Sequence, residues 1–267
     1  MGQNLRAMSP DDKWITDSAT GEVIGVQTAG QLQRLFGQRM KATDVSANQA
    51  PYILAQAAVP VILPSSGSSN ATGVITMTTA LSYSLASGQS CAIYLPAGVV
   101  TAGSQGSGAG VYQATGLGTN NTVQISGTGI VTANGAYTQT TGADLTLVTI
   151  PVPGGTMGAN GVARVSVYWS HANSANTKTE KVLLGTASIN ATGTTTANRM
   201  DIYAFRNRGL QASQIVQVTG VASGTATPGV ATVDTSANQN LTFAGQLANA
   251  TDYIILEGYT VEILPGA

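Results

Sequence analysis

Beyond residue 50 the chain is built from short apolar runs, many of them alternating with polar residues and separated by clusters of Gly, Ser, Thr and Asn. A period of two marks β-strands, because successive side chains point to opposite faces. The earlier runs are Tyr52-Ile53-Leu54, Val59 to Leu63, Gly73 to Met77, Ala92 to Leu95, Val123 to Ile125 and Ile130-Val131. Later, DLTLVTIPVP alternates from Leu145 and Leu147, and VARVSVYWS sets Val165, Val167 and Trp169 against Arg164, Ser166 and Tyr168. Further strands are expected over 181–184, 200–205, 215–218, 240–244 and 253–264. Roughly eight such strands with polar turns close naturally as a jelly-roll-like β-sandwich. The predicted class is all-β.

The first 44 residues read differently. Trp14-Ile15-Thr16 and Glu22 to Val26 flank the turn residues Asp17 to Gly21, which predicts a hairpin. Leu32, Leu35, Phe36 and Met40 follow at helical spacing, with Arg34, Arg39 and Lys41 off that stripe. Segments below about 40 residues rarely bury enough surface to stand alone. Docking onto another protein is therefore expected, through Trp14, Ile15, Val23, Ile24, Leu32, Leu35 and Phe36.

Charge divides the chain further. From Val45 to Ala143, 99 residues pass without one Asp, Glu, Lys, Arg or His; ten of the 23 charges precede this stretch and thirteen follow it. A soluble domain carries about a quarter charged residues, so this stretch must be solvated by hydroxyls, amides and backbone groups. Such a surface suits an assembly better than a free-diffusing enzyme. The predicted organisation is an N-terminal attachment segment, 1–44, an uncharged β-rich domain, 45–135, and a C-terminal sandwich, 136–267.

Composition narrows the function classes. Hydrophobic content of 43% with a net charge of −1 is not that of a disordered chain. No apolar run approaches the roughly 18 to 20 residues of a membrane helix, and MGQNLRAMSPDDKW has no apolar signal core, so neither membrane insertion nor a secretory route is expected. A pI of about 5.7 supplies no basic field for nucleic acid. Cys91 is the single cysteine and His171 the single histidine, in different segments, so neither a disulfide framework nor a usual zinc site can form.

Candidate chemistry is correspondingly sparse. His171 falls in the predicted loop after Trp169, and no GxSxG elbow supplies a serine nucleophile, so no catalytic residue is assigned. The glycine-rich TAGSQGSGAG loop, expected to be mobile, lacks the GK[ST] ending of a phosphate-binding loop. A glycosidase needs two carboxylates about 5 to 9 Å apart. Glu257 and Glu262, five residues apart in one strand, are expected on opposite faces. Tyr168, Trp169, Tyr203 and Tyr259 are candidate sugar platforms, although Trp169 shares its face with Val165 and Val167 and so is placed in the core. Arg199, Arg206 and Arg208 cluster on one strand, as a partner site or paired with Asp201. Of these, Arg206 and Arg208 join Tyr168, Tyr259 and Trp169 as candidate glycan or partner contacts. No cofactor or metal is expected.

The run PVPGGTMGANGVARVSVYWSHANSANTKTEKVLLGTASI, then RMDIYAFRNRG, then TSANQNLTFAGQLANATDYIILEGYTVEILP, resembles the C-terminal β-sandwich of structural proteins from tailed-bacteriophage virions. GxxGANGxxRV before Trp169, SHANSANTKT and the closing GQLANATDYIILEGYTVEILP carry the resemblance, with LPAGVVTAG upstream and, more briefly, WITDSATGEVIGV. It implies a homo-oligomer, expected to be a trimer, made in the bacterial host cytoplasm and displayed on the virion as tail fibre, head fibre or capsid decoration. The N-terminus would sit on other virion proteins of capsid or tail. The absence of a heptad stalk or long β-helical repeat favours a compact decoration. A receptor-binding tip that recognises host surface glycans is the alternative.

Overall fold

The computed structural model describes residues 13–16, 23–28, 31–34, 51–193, 198–219 and 229–266. Every regular element among them is a strand. Contacts divide the chain into Met1–Asp44 and Val45–Ala267.

In the first unit, β1 (Lys13–Thr16), β2 (Val23–Thr28) and β3 (Gln31–Arg34) form an antiparallel sheet in that order. Trp14 lies opposite Val26, which is the expected hairpin. The expected helix is not present over Gln31–Arg34, which pairs with β2 as a third strand, Gln33 opposite Val26. Gln-Leu-Gln-Arg satisfies a period of two as well as the helical spacing, and a neighbouring strand decides the matter through its open edge. Leu35, Phe36 and Met40 lie outside the described residues.

The second unit begins with β4 (Tyr52–Ala57), β5 (Val61–Pro64), β6 (Ser66–Ser69), β7 (Val74–Met77), β8 (Ser90–Leu95), β9 (Val100–Ala102), β10 (Gly110–Gly116), β11 (Thr122–Ile125), β12 (Val131–Thr132) and β13 (Gly135–Thr138). It continues with β14 (Leu145–Val152), β15 (Val162–His171), β16 (Lys178–Leu184), β17 (Ala187–Gly193), β18 (Asn198–Asn207), β19 (Gln214–Thr219), β20 (Gly229–Ala231), β21 (Gln239–Leu247) and β22 (Tyr253–Leu264). One 13-stranded sheet runs β13-β6-β7-β11-β10-β8-β5-β22-β15-β18-β19-β20, with β4 also on β22. A four-stranded sheet, β14-β21-β16-β17, packs against the later part of it, and β9 pairs with β12.

Two apolar cores result. The first lies between the sheets: Val165, Val167 and Tyr203 of the long sheet meet Leu147, Val182 and Phe243 of the short one. That arrangement is a β-sandwich. The second joins Ile75, Cys91, Ile93, Tyr112 and Val123 of the uncharged strands, closed by Leu81 and Leu85 from the connection after β7. Each fully buried side chain of this size stabilises by about 1.5–3 kcal/mol.

Strands β5, β8 and β22 belong to both cores. Leu63, Ala92, Ile254 and Leu256 face the first, while Ile62, Ile93, Tyr253 and Ile255 face the second. Burial on two faces explains why these strands read as unbroken apolar runs rather than alternation. The parallel β5–β8 pair and the antiparallel β5–β22 pair carry the sheet from the uncharged stretch into the charged one.

The glycine-rich 101–110 loop is tied down rather than left loose. Gln105 donates to the carbonyls of Gln113 and Ser126 and accepts from the Gln113 amide at 2.6 Å. The GANG motif forms a turn against the end of β22: Gly158 has φ +70°, and a Cβ there would stand 2.0 Å from the Gly266 carbonyl oxygen.

Candidate functional site

Along β22 the inward residues Tyr259, Val261 and Ile263 follow strict alternation, which would carry residue 257 into the core as well. It does not go there. The β15–β22 register slips between Tyr168 and Trp169, which face Gly258 and Leu256, so Glu257 is the extra residue of a bulge. A bulge bends its strand and re-aims a side chain. Glu257 turns to the outer face, where Tyr83 donates its hydroxyl to Oε2 at 2.7 Å and Ser170 donates to Oε1. Burial, reinforced by Glu257, raises the Tyr83 phenol far above its ordinary range. Gly258 is required by proximity, since a Cβ would lie 2.8 Å from the Ala57 carbonyl oxygen.

The bulge forms the floor of an open groove of about 1270 Å³. β15 contributes Tyr168 and Ser170, β18 contributes Asn198 and Met200, and Gln56 to Ala58 with Ser82-Tyr83 form a wall. Tyr168 and Met200, directly opposite each other on β15 and β18, are 50% and 53% exposed.

Beneath the same strands lies a buried ionic network. His171 Nε2 stands 3.1 Å from Glu180 Oε1, with both side chains fully buried. Arg199 reaches Glu180 at 3.5 Å and grips Asp201 with two nitrogens at 2.8 and 2.9 Å; Tyr203 also donates to Asp201. Lys178 Nζ donates to Ser174 Oγ at 2.7 Å and to the Asn176 carbonyl at 2.8 Å, 3.9 Å from Asp252 Oδ1. Burial lowers the Lys178 pKa against the opposing pull of Asp252 and Glu180. These charges cross between sheets and anchor the SHANSANTK connection, a structural task for residues that burial would otherwise penalise.

The residues singled out in sequence separate accordingly. Tyr168 is on the groove. Trp169 is 1% exposed and packs edge-on against Phe243 at 6.4 Å, the core position its face predicted. Tyr259 stacks on the same Phe243 ring at 4.7 Å and also borders the groove. Arg206 and Arg208 are exposed, but at the far end of β18, roughly 20 Å from Met200. Arg199 pairs with Asp201 as one of the two readings had it. His171 is not in a loop: it ends β15 inside the network. Glu257 and Glu262 share a face instead of opposing, because the bulge inverts the alternation; Glu262 pairs with Arg164 at 2.5 Å. They remain roughly 15 Å apart along the strand, too far for a pair of glycosidase carboxylates. Glu180 and Asp201 share Arg199 but are buried beneath the sheet.

Trp14, Ile15, Val23, Ile24 and Leu32 fall on β1 to β3, and Leu35 and Phe36 outside the described residues. No cluster of three or more metal-ligating side chains occurs among the described residues. No family model matches the chain, and comparison with curated protein sequences gives no match either. What the groove offers chemically is one fixed carboxylate, one guanidinium already engaged by Asp201 and Glu180, several neutral hydrogen-bonding groups and one half-exposed aromatic face.

Proposed function

We propose that the chain is a structural component of a tailed-bacteriophage virion, a trimeric fibre or decoration protein. It attaches through its N-terminal segment and displays a sandwich that we read as jelly-roll-like. The observation that carries the oligomer is the state of the sheet edges. β4 (YILAQA), β13 (GAYT) and β20 (GVA) of the long sheet, and β14 (LTLVTIPV) and β17 (ASINATG) of the short one, contain no charged residue. Ile53 on β4 and Val230 on β20 are 55% and 73% exposed. Monomers protect such edges with lysines, proline or bulges. Here β14 carries such devices, Pro151 and a register slip, and β4 has a bulge at Leu54, while the pairings of β13, β17 and β20 run without a slip. Neighbouring copies in a closed ring would cover the others. The resemblance of the 151–265 region supplies the virion.

Two measurements test this reading. Native mass spectrometry is expected to give three times the 27.0 kDa chain mass. Antibody against residues 160–267 is expected to decorate intact particles in electron micrographs. A monomer in the first, or unlabelled particles in the second, would overturn it.

A further inference from the structure

We infer that the groove over the β22 bulge is a binding site for a neutral oligosaccharide, with Tyr168 as the stacking face and Glu257 as the hydrogen-bond acceptor. The inference rests on the groove alone and does not depend on the virion reading.

The bulge is the first reason. Without it Glu257 would enter the core; with it the carboxylate is aimed into a concave surface and held there by Tyr83 and Ser170. Bulges that re-aim a side chain concentrate at functional sites, and a group whose orientation is fixed by neighbours is prepared to recognise a ligand. Charge is the second reason. Among the described residues Arg199 is the only cation on the groove lining, and Asp201 and Glu180 already engage it. A carboxylate or phosphate ligand would therefore meet Glu257 without a counter-charge. A second protein surface closing over Glu257 would bury that carboxylate, which is costly unless the partner brings a cation. A polyol avoids both difficulties, because its hydroxyls donate to the carboxylate while the groove stays wet. The third reason is shape. The groove is open, so a chain can pass through it, and the half-exposed Tyr168 ring offers its apolar face beside Asn198 and Gln56.

The experiment uses the full chain on an array of immobilised neutral and acidic glycans, followed by saturation-transfer NMR with the best neutral binder. Saturable binding to neutral glycans is expected, weakened at least tenfold in Tyr168→Ala and in Glu257→Gln. Arg206→Ala, on the same face but roughly 20 Å away, should bind as the parent does. Circular dichroism melts confirm that each variant is folded; should Glu257→Gln melt early, Tyr168→Ala at its exposed position decides. No neutral binder, preference for acidic glycans, or unchanged binding by Tyr168→Ala would overturn the inference.

Discussion

Between residues 51 and 143 the buried polar side chains are all neutral: Ser65, Ser69, Thr132 and Gln139. Most hand a hydroxyl or amide proton to a backbone carbonyl, as Ser65 does to Asp252 at 2.6 Å and Gln139 to Tyr94 at 3.0 Å. After residue 143 the buried set includes Lys178, Glu180, Asp201, Asp252 and His171. One sheet runs through both regions, so the contrast is not one of fold. It shows that the uncharged region lacks charge inside as well as outside, whereas the later region concentrates much of its charge between the sheets. Its stability should therefore be the more sensitive to a single deletion.

Asp252→Ala tests this most severely. It removes a buried counter-charge of Lys178 and the acceptor of Ser174, and should cost about 3–5 kcal/mol in urea unfolding. Gly158→Ala combines a left-handed backbone with a contact on the Gly266 carbonyl, and about 3 kcal/mol is expected, read as a fall in melting temperature. Alkali probes the uncharged side. Burial pushes the Cys91 thiol from 9.0 up to about 11. The unfolded chain loses that proton first, so stability should fall as pH rises from 9 to 11, by about 2 kcal/mol, and the fall should shrink in Cys91→Ala. The raised phenols of Tyr83 and Tyr137, both shifted by burial, act in the same direction above pH 10. Smallest is Ser69→Ala, which loses one neutral hydrogen bond to Ala133 and about 1 kcal/mol. An equal cost for Ser69→Ala and Asp252→Ala would erase the contrast.

Strands with apolar alternation were legible from the sequence. The expected 73–77, 92–95 and 123–125 correspond to β7, β8 and β11, and the runs after Asp144 to β14, β15, β16, β18, β19, β21 and β22. β6 was not legible, because Ser66–Ser69 holds no apolar residue; its inward positions are Gly67, where a Cβ would meet Thr76 and Tyr137, and Ser69. Nor was the union of the two regions, which depends on pairing Ile62 with Ile255 across the length of the unit. The site failed for a third reason. One inserted residue reverses the facing of everything beyond it, and nothing in Leu-Glu-Gly-Tyr except the glycine hints at the bulge. The alternation Lys178, Glu180 in β16 was a visible sign of inward charge, but it resembles a solvated face until the opposite sheet is in place.

The sharing of β22 by both cores also sets a timetable for synthesis. Ile62 must find Ile255, 193 positions later, before either core is complete. At ~5–20 residues per second the ribosome needs roughly ten to forty seconds to cover that distance. For most of that time the first-core faces of β5 and β8, Leu63 and Ala92, have no permanent cover. A chain cut short anywhere before Tyr253 lacks the strand that closes both cores, so only completed copies would be competent to fold.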